Sequence, residues 1–270
     1  MNRLNRTLYL LAVVIFASAC FNFEHNTERQ PKATAVVNRS WPAAGIRAVD
    51  IHEVDGSISV EAVATDQVTL EARARGRFEL DPKAENQGIF RTELQGDTLS
   101  IGRRERRRGF RFPQVLFGGT KRRVDYVLRV PREITLEVRT VNGRITTRGV
   151  SGETEARSVN GRIDIETAGT HPLRATTVNG RVRARFVQDF QGARLKTVNG
   201  GVEAILPQAA SFNVDLSQVN GDFEASFPLA IHSRPGSRRV SGEVNGGEHE
   251  LEIVTVNGDV ELARANGTDG

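Results

Sequence analysis

The tripeptide Val-Asn-Gly recurs through the C-terminal half of the chain, beginning at Val141, Val159, Val178, Val198, Val219, Val244 and Val256. The first five are spaced by 18, 19, 20 and 21 residues. A unit this short cannot bury an apolar face alone, so repetition at a nearly fixed period implies stacking of neighbours. Val244 is out of phase. Val240-Ser241-Gly242 lies 21 residues after Val219 and is expected to take the corner position there.

The flanks of each corner align. Two residues before Asn stands a polar residue: Thr140, Ser158, Thr177, Thr197, Gln218 and Thr255. Two after Gly stands an apolar one: Ile145, Ile163, Val182, Val202, Phe223 and Val260. Val138, Ala156, Ala175, Leu195, Leu216 and Ile253 continue the same face upstream, with mostly charged residues between. Each unit therefore reads as strand, corner, strand, with one face in and one out. The corners are Asn142-Gly143, Asn160-Gly161, Asn179-Gly180, Asn199-Gly200, Asn220-Gly221 and Asn257-Gly258. Glycine accepts a positive φ there, and Asn tolerates it while bonding nearby backbone.

Two architectures satisfy this pattern. Asn-Gly between alternating strands is a strong hairpin signal, and Val150-Ser151-Gly152 supplies an opposite turn, which together give an antiparallel β-meander. The alternative is all-β and solenoidal: a right-handed β-solenoid, parallel β-helix-like, with 18–21 residues per coil. The solenoid is preferred. A long meander needs its apolar face covered, and no stretch shows a helical period that would cover it. Strands of about 5–7 residues are also too short for a membrane barrel.

The N-terminus has a different character. Arg3 and Arg6 precede the apolar run Leu8–Phe16, and Ala17-Ser18-Ala19 leads to Cys20. This is the pattern of a secretory signal peptide over residues 1–19. Cys20 is the only cysteine. Its position resembles a bacterial lipobox, which implies acylation of Cys20; ordinary cleavage after Ala19 is the alternative. The lipid reading makes the membrane a partner, with Phe21 favouring the outer over the inner membrane. Residues 20–44 are expected to be a flexible tether, 45–264 one solenoid domain, and 265–270 a disordered tail. A basic insertion at 102–123, between strands Asp97–Ile101 and Val124–Val130, is expected to form a loop. It carries Arg106, Arg107 and Arg108 among nine basic residues.

Val124–Pro131 running into Leu136–Ile145, the opening Val54-Asp55-Gly56-Ser57-Ile58-Ser59-Val60 and the closing Leu251–Leu262 resemble the bacterial putative-adhesin family of β-helical envelope proteins. The resemblance covers roughly residues 45–264. It implies a secreted or membrane-anchored interaction domain without catalytic residues or cofactor. It says nothing about the insertion.

No residue set points to catalysis. His25, His52, His171, His232 and His249 lack metal-ligand spacing, so neither a metal nor another cofactor is expected. Asp164, Glu203, Asp222, Glu224, Asp259 and Glu261 align one per coil. They keep a polysaccharide-active enzyme as one alternative, and a sensory part of an envelope-stress system as another. The basic positions carry the preferred reading. Arg144, Arg162 and Arg181 form one outward ladder just after the corner; Arg139, Arg157 and Lys196 form another just before it. Interleaved acids such as Glu137, Glu155 and Asp164 would neutralise them, or an anionic partner would. With the insertion, they mark a non-catalytic lipoprotein contacting anionic envelope polysaccharide, lipid head groups or another envelope protein. Phe110 and Phe112 among arginines would suit nucleic acid, which an exported domain does not meet.

Overall fold

The computed structural model describes residues 33–76, 90–102, 123–232 and 239–265. Cys20, most of the expected tether and Arg106, Arg107 and Arg108 lie outside these residues, as does most of the expected tail.

The described residues form strands β1 (Ala33–Pro42), β2 (Ala48–Asp55), β3 (Ile58–Ala62), β4 (Gln67–Gly76), β5 (Arg91–Gln95), β6 (Thr98–Gly102) and β7 (Arg123–Val130). The repeat region follows with β8 (Thr135–Asn142), β9 (Ile145–Val150), β10 (Thr154–Asn160), β11 (Ile163–Thr167), β12 (Leu173–Thr176), β13 (Val182–Phe186), β14 (Ala193–Lys196) and β15 (Val202–Leu206). Then come β16 (Phe212–Asn220), β17 (Phe223–Ala225), β18 (Ala230–His232), β19 (Arg239–Val244), β20 (His249–Asn257) and β21 (Val260–Arg264).

These strands make two sheets, of 10 and 11 strands, and each repeat gives one strand to each. The alternation explains why. Along β8, Leu136, Val138 and Thr140 are buried while Glu137 and Arg139 remain partly exposed; the corner then turns Ile145 and Thr147 inward on the other sheet. Neighbouring repeats pair in parallel. Val138 lies beside Ala156, Ala156 beside Ala175, and Ala175 beside Leu195. The domain is thus a solenoid, with a thin core of stacked aliphatic residues between the sheets. The antiparallel meander is excluded for the repeats. Val150-Ser151-Gly152 joins β9 to β10 as the coil's second turn, not as a hairpin.

Among the described residues, antiparallel pairing is confined to the two ends. β4 and then β1 cover β7, β5 covers β6, and β19 and β18 cover β16. Open sheet ends present unpaired backbone groups that must be paired or blunted.

Three expectations are corrected. The tether does not reach residue 44: Ala33–Pro42 is β1, hydrogen-bonded along β4 with Ala35 and Val37 buried. Its alternation is short and lies between polar residues, so only the waiting sheet edge makes it a strand. Val240-Ser241-Gly242 is not a corner but the middle of β19, antiparallel to β16. The turn falls at Asn245-Gly246, with Asn245 at φ 50°. The strands flanking the basic insertion are Thr98–Gly102 and Arg123–Val130, which pair in parallel with β2 and β3. They form an outer coil beyond β2 and β3.

Stack order also departs from chain order. β20 pairs with β14 on one side and β16 on the other, and β21 lies between β15 and β17. The β20/β21 coil is therefore wedged between two coils that precede it in sequence.

Candidate functional site

The corners stack into one long edge. Asn160 donates its side-chain amide to Asn142 (2.9 Å), Asn179 to Asn160 (2.8 Å) and Asn199 to Asn179 (2.9 Å). Asn257 donates to Asn199 (2.9 Å) and Asn220 to Asn257 (2.8 Å). At the other end Asn142 donates to Asp55 Oδ1 (2.8 Å). Every donor points toward Asp55, so the aligned amide dipoles end on a carboxylate.

Inside this ladder runs a second one. Thr177, Thr197 and Thr255 donate their hydroxyls to the carbonyls of Gly161, Gly180 and Gly200 in the adjacent coil, at 3.0, 2.9 and 3.1 Å. Gln218 makes the equivalent bond to Gly258 (2.9 Å). Ser158 does not, and its buried hydroxyl lacks a partner. Glu53 holds this position in the β2/β3 coil, where its buried carboxylate accepts from Tyr126 Oη (2.8 Å).

The positive φ expected of the corner glycines is present at Gly180, Gly200, Gly221 and Gly258 but not at Gly143 and Gly161. What the column shares is close approach. A methyl on Gly143 would overlap the carbonyl oxygen of Gly56, and one on Gly161 that of Gly143; the same holds for Gly180, Gly200, Gly258 and Gly221 against their neighbours.

Arg144, Arg162 and Arg181 stack on consecutive coils, since Ile145 N bonds Arg162 O and Ile163 N bonds Arg181 O, both at 3.0 Å. All three side chains are exposed. Arg144 meets Asp164 only at 3.8 Å and Arg181 meets Glu203 only at 4.0 Å. Among the described residues, the Arg162 side chain has neither a hydrogen bond nor an ion pair. The same column continues through Gly201 to Asp259 and Asp222, so its sign reverses along the stack.

The other basic column is broken and neutralised. Arg139 lies beside Arg157, but Thr176 separates them from Lys196. Arg139 pairs with Glu137 and Arg157 with Glu155. Lys196 Nζ lies 2.6 Å from Glu252. That hydrogen bond holds the Glu252 carboxyl below its ordinary pKa against the opposing effect of burial, with Lys196 and Arg194 charges assisting. On the other sheet a column runs Arg129, Glu61, Arg148, Glu166, Arg185 in strict alternation of sign. The candidate acids do not follow that alternation: Asp164 and Glu203 face arginines, while Glu203, Glu261 and Glu224 stack on adjacent coils near the far end.

One feature escaped the sequence reading. Val54, Val141, Val159, Val178, Val198, Val256 and Val219 form an unbroken outward column beside the Asn ladder. Five of them are 37–41% exposed. Period-2 alternation from buried Val138 and Thr140 already places Val141 outside, which is the signal that could have found it.

The model of the Toastrack DUF4097 family matches residues 46–263. The chain belongs to this family. The Toastrack match leaves β1 outside and contains the whole corner edge. Among solved structures, the Toastrack chain is similar to a putative cell adhesion protein from Clostridium sporogenes ATCC 15579. The identity is 10% and the TM-score 0.46, covering 87% of this chain and 100% of that one. It is also similar to a putative adhesin from Bacteroides fragilis NCTC 9343, with 10% identity, TM-score 0.34 and coverage of 84% and 96%. No ligand follows from likeness at this level. No curated protein matches the chain.

Proposed function

We propose that this Toastrack protein is a non-catalytic, adhesin-like module of the cell envelope, tethered by lipid on Cys20, whose corner edge contacts anionic envelope polymers or lipid head groups. The observation that carries the reading is the stacking of Arg144, Arg162 and Arg181, with Arg162 unpaired among the described residues. Parallel strands lie about 4.8 Å apart, so like charges on consecutive coils repel by roughly 1 kcal/mol or less in water. In the column of Arg129, Glu61, Arg148, Glu166 and Arg185, acids interleave with bases and remove that repulsion. At Arg144, Arg162 and Arg181 the repulsion is relieved by an external anion.

The test replaces all three arginines by glutamine in the full chain. Co-sedimentation with lipopolysaccharide, and separately with vesicles containing anionic phospholipid, is then measured at moderate salt. Loss of binding to one or both supports the reading and identifies the source of the anion. Unchanged binding to both discards it. Mass spectrometry of the mature N-terminus decides acylation independently.

A further inference from the structure

An anionic surface accounts for the arginines but not for the sign reversal beyond them, nor for the valine column. Both follow if the edge meets a second copy of itself. Seven coils define the edge. In stacking order the column after the corner reads Ser57, Arg144, Arg162, Arg181, Gly201, Asp259, Asp222. The column before the valines reads His52, Arg139, Arg157, Thr176, Lys196, Val254, Ser217. The valines run between them.

A two-fold axis across the edge sets two copies antiparallel, each column facing its own reverse. If the axis passes between the β12/β13 and β14/β15 coils, Arg144 faces Asp222, Arg162 faces Asp259 and Arg181 faces Gly201. On the other flank Arg139 faces Ser217, Arg157 faces Val254 and Thr176 faces Lys196. No like charges meet. Val141 faces Val219, Val159 faces Val256 and Val178 faces Val198, which supplies an apolar centre. A shift of one coil in one direction sets Arg181 against its own counterpart and Arg157 against Lys196. A shift in the other direction sets Lys196 against itself. Charge therefore selects this register over either neighbouring one.

We infer that the corner edge is a self-complementary, antiparallel homodimer interface, centred on the valine column and fixed in register by Arg144–Asp222 and Arg162–Asp259 contacts between copies. The edge is a narrow ridge, so the contact falls toward the small end of specific interfaces, below about 1,200 Å² in total. Association is correspondingly weak in free solution and strengthens when many copies share one surface.

Charge reversal tests this on the full chain in detergent by sedimentation velocity over a wide concentration range. One variant carries R144D and R162D, the other D222R and D259R. All four positions are exposed, and circular dichroism checks each fold. Wild type is expected to dimerise with concentration, each variant to need at least tenfold more protein, and the equimolar mixture to recover wild-type association. The mixture is decisive, because general loss of fold cannot be rescued by mixing. A strictly monomeric wild type, association indifferent to either reversal, or a mixture no better than its parts would overturn the inference. Polyanion binding separates the two proposals. The R144D/R162D variant loses it and D222R/D259R strengthens it if the anion reading holds, whatever happens to the dimer. If charge reversal yields unfolded chains, R162Q alone should weaken dimerisation several-fold, and unchanged dimerisation would equally refute the interface.

Discussion

Asn220 hydrogen-bonds Asn257 at 2.8 Å across 37 positions of sequence, and Asn257 in turn bonds Asn199 at 2.9 Å. Asn199 and Asn220 are consecutive in the repeat yet never touch, because the β20/β21 coil stands between them. That coil has hydrogen-bonded neighbours on both sides in both sheets. Removing it by truncation before His249 leaves β16 and β17 without the parallel partners that hold them. Hydrogen exchange should then accelerate across 212–225 by orders of magnitude, while 135–186 keeps its protection. Uniform protection throughout would show that β16 docks directly on β14.

The Asn ladder ends on a carboxylate, which makes its first rung sensitive to charge. Asn142→Asp removes the donor to Asp55 and sets a second carboxylate beside it. Asn142→Ala removes that donor and also the acceptor of Asn160, at about 1 kcal/mol for each hydrogen bond lost, and adds no charge. The aspartate variant should be less stable than wild type at neutral pH and should recover as the pH falls to 4, whereas the alanine variant should show no such recovery. Denaturant melts at both pH values measure the difference.

Close approach at the corners predicts intolerance to one methyl group. Gly161→Ala forces the backbone of two coils apart, because the new Cβ falls on the Gly143 carbonyl oxygen. A loss above about 3 kcal/mol is expected, of the size seen for overpacked cores at their worst. Thermal unfolding reads it directly.

Ser158 offers the opposite change. Its hydroxyl is buried and unpartnered, whereas threonines at the same position in three other coils bond a glycine carbonyl at 2.9–3.1 Å. Ser158→Thr restricts χ1 and adds a methyl to the ladder. The hydroxyl then bonds Gly143 O, and stability should rise by about 1 kcal/mol. A lower melting temperature would show that the site has no room for the methyl.

Lys196 and Glu252 link the stack to pH. The carboxyl's folded pKa lies below its unfolded value, so its contribution is present in full above the unfolded pKa, near 4.5. It is lost as pH falls through the lowered folded value. Lys196→Met should move the Glu252 titration upward and flatten the acid limb of the stability curve. A carbon-detected NMR titration of Glu252 with paired acid melts would show no change if Lys196 were only a neighbour.

Much of this fold is legible in the sequence because a parallel stack repeats one environment. Val138, Ala156, Ala175 and Leu195 share a face in sequence and stack in space, and the Arg144–Arg162–Arg181 column follows from the same spacing. Coil order is not legible. Spacing reports distance along the chain, and the 21 residues between Val198 and Val219 fit direct stacking as well as a skipped position. Nothing local distinguishes them; the decision rests on which partners β14 and β16 find last. β1 was hidden for a related reason, since an edge strand needs only a weak pattern once a sheet edge is waiting. The valine column is legible only when the outward face is followed from coil to coil, because a single outward valine is indistinguishable from ordinary exposed surface.

A wedged coil also sets a clock. Synthesis delivers the N-terminal repeats first, and each can settle on its predecessor as it emerges. β16 and β17 then have to leave a vacancy for a segment that does not yet exist, one arriving roughly 40 residues later, or some seconds at about 5–20 residues per second. In that interval the direct-stacked arrangement is the natural misfold. β19 and β18 cover the outer edge of β16 and leave its inner edge for β20.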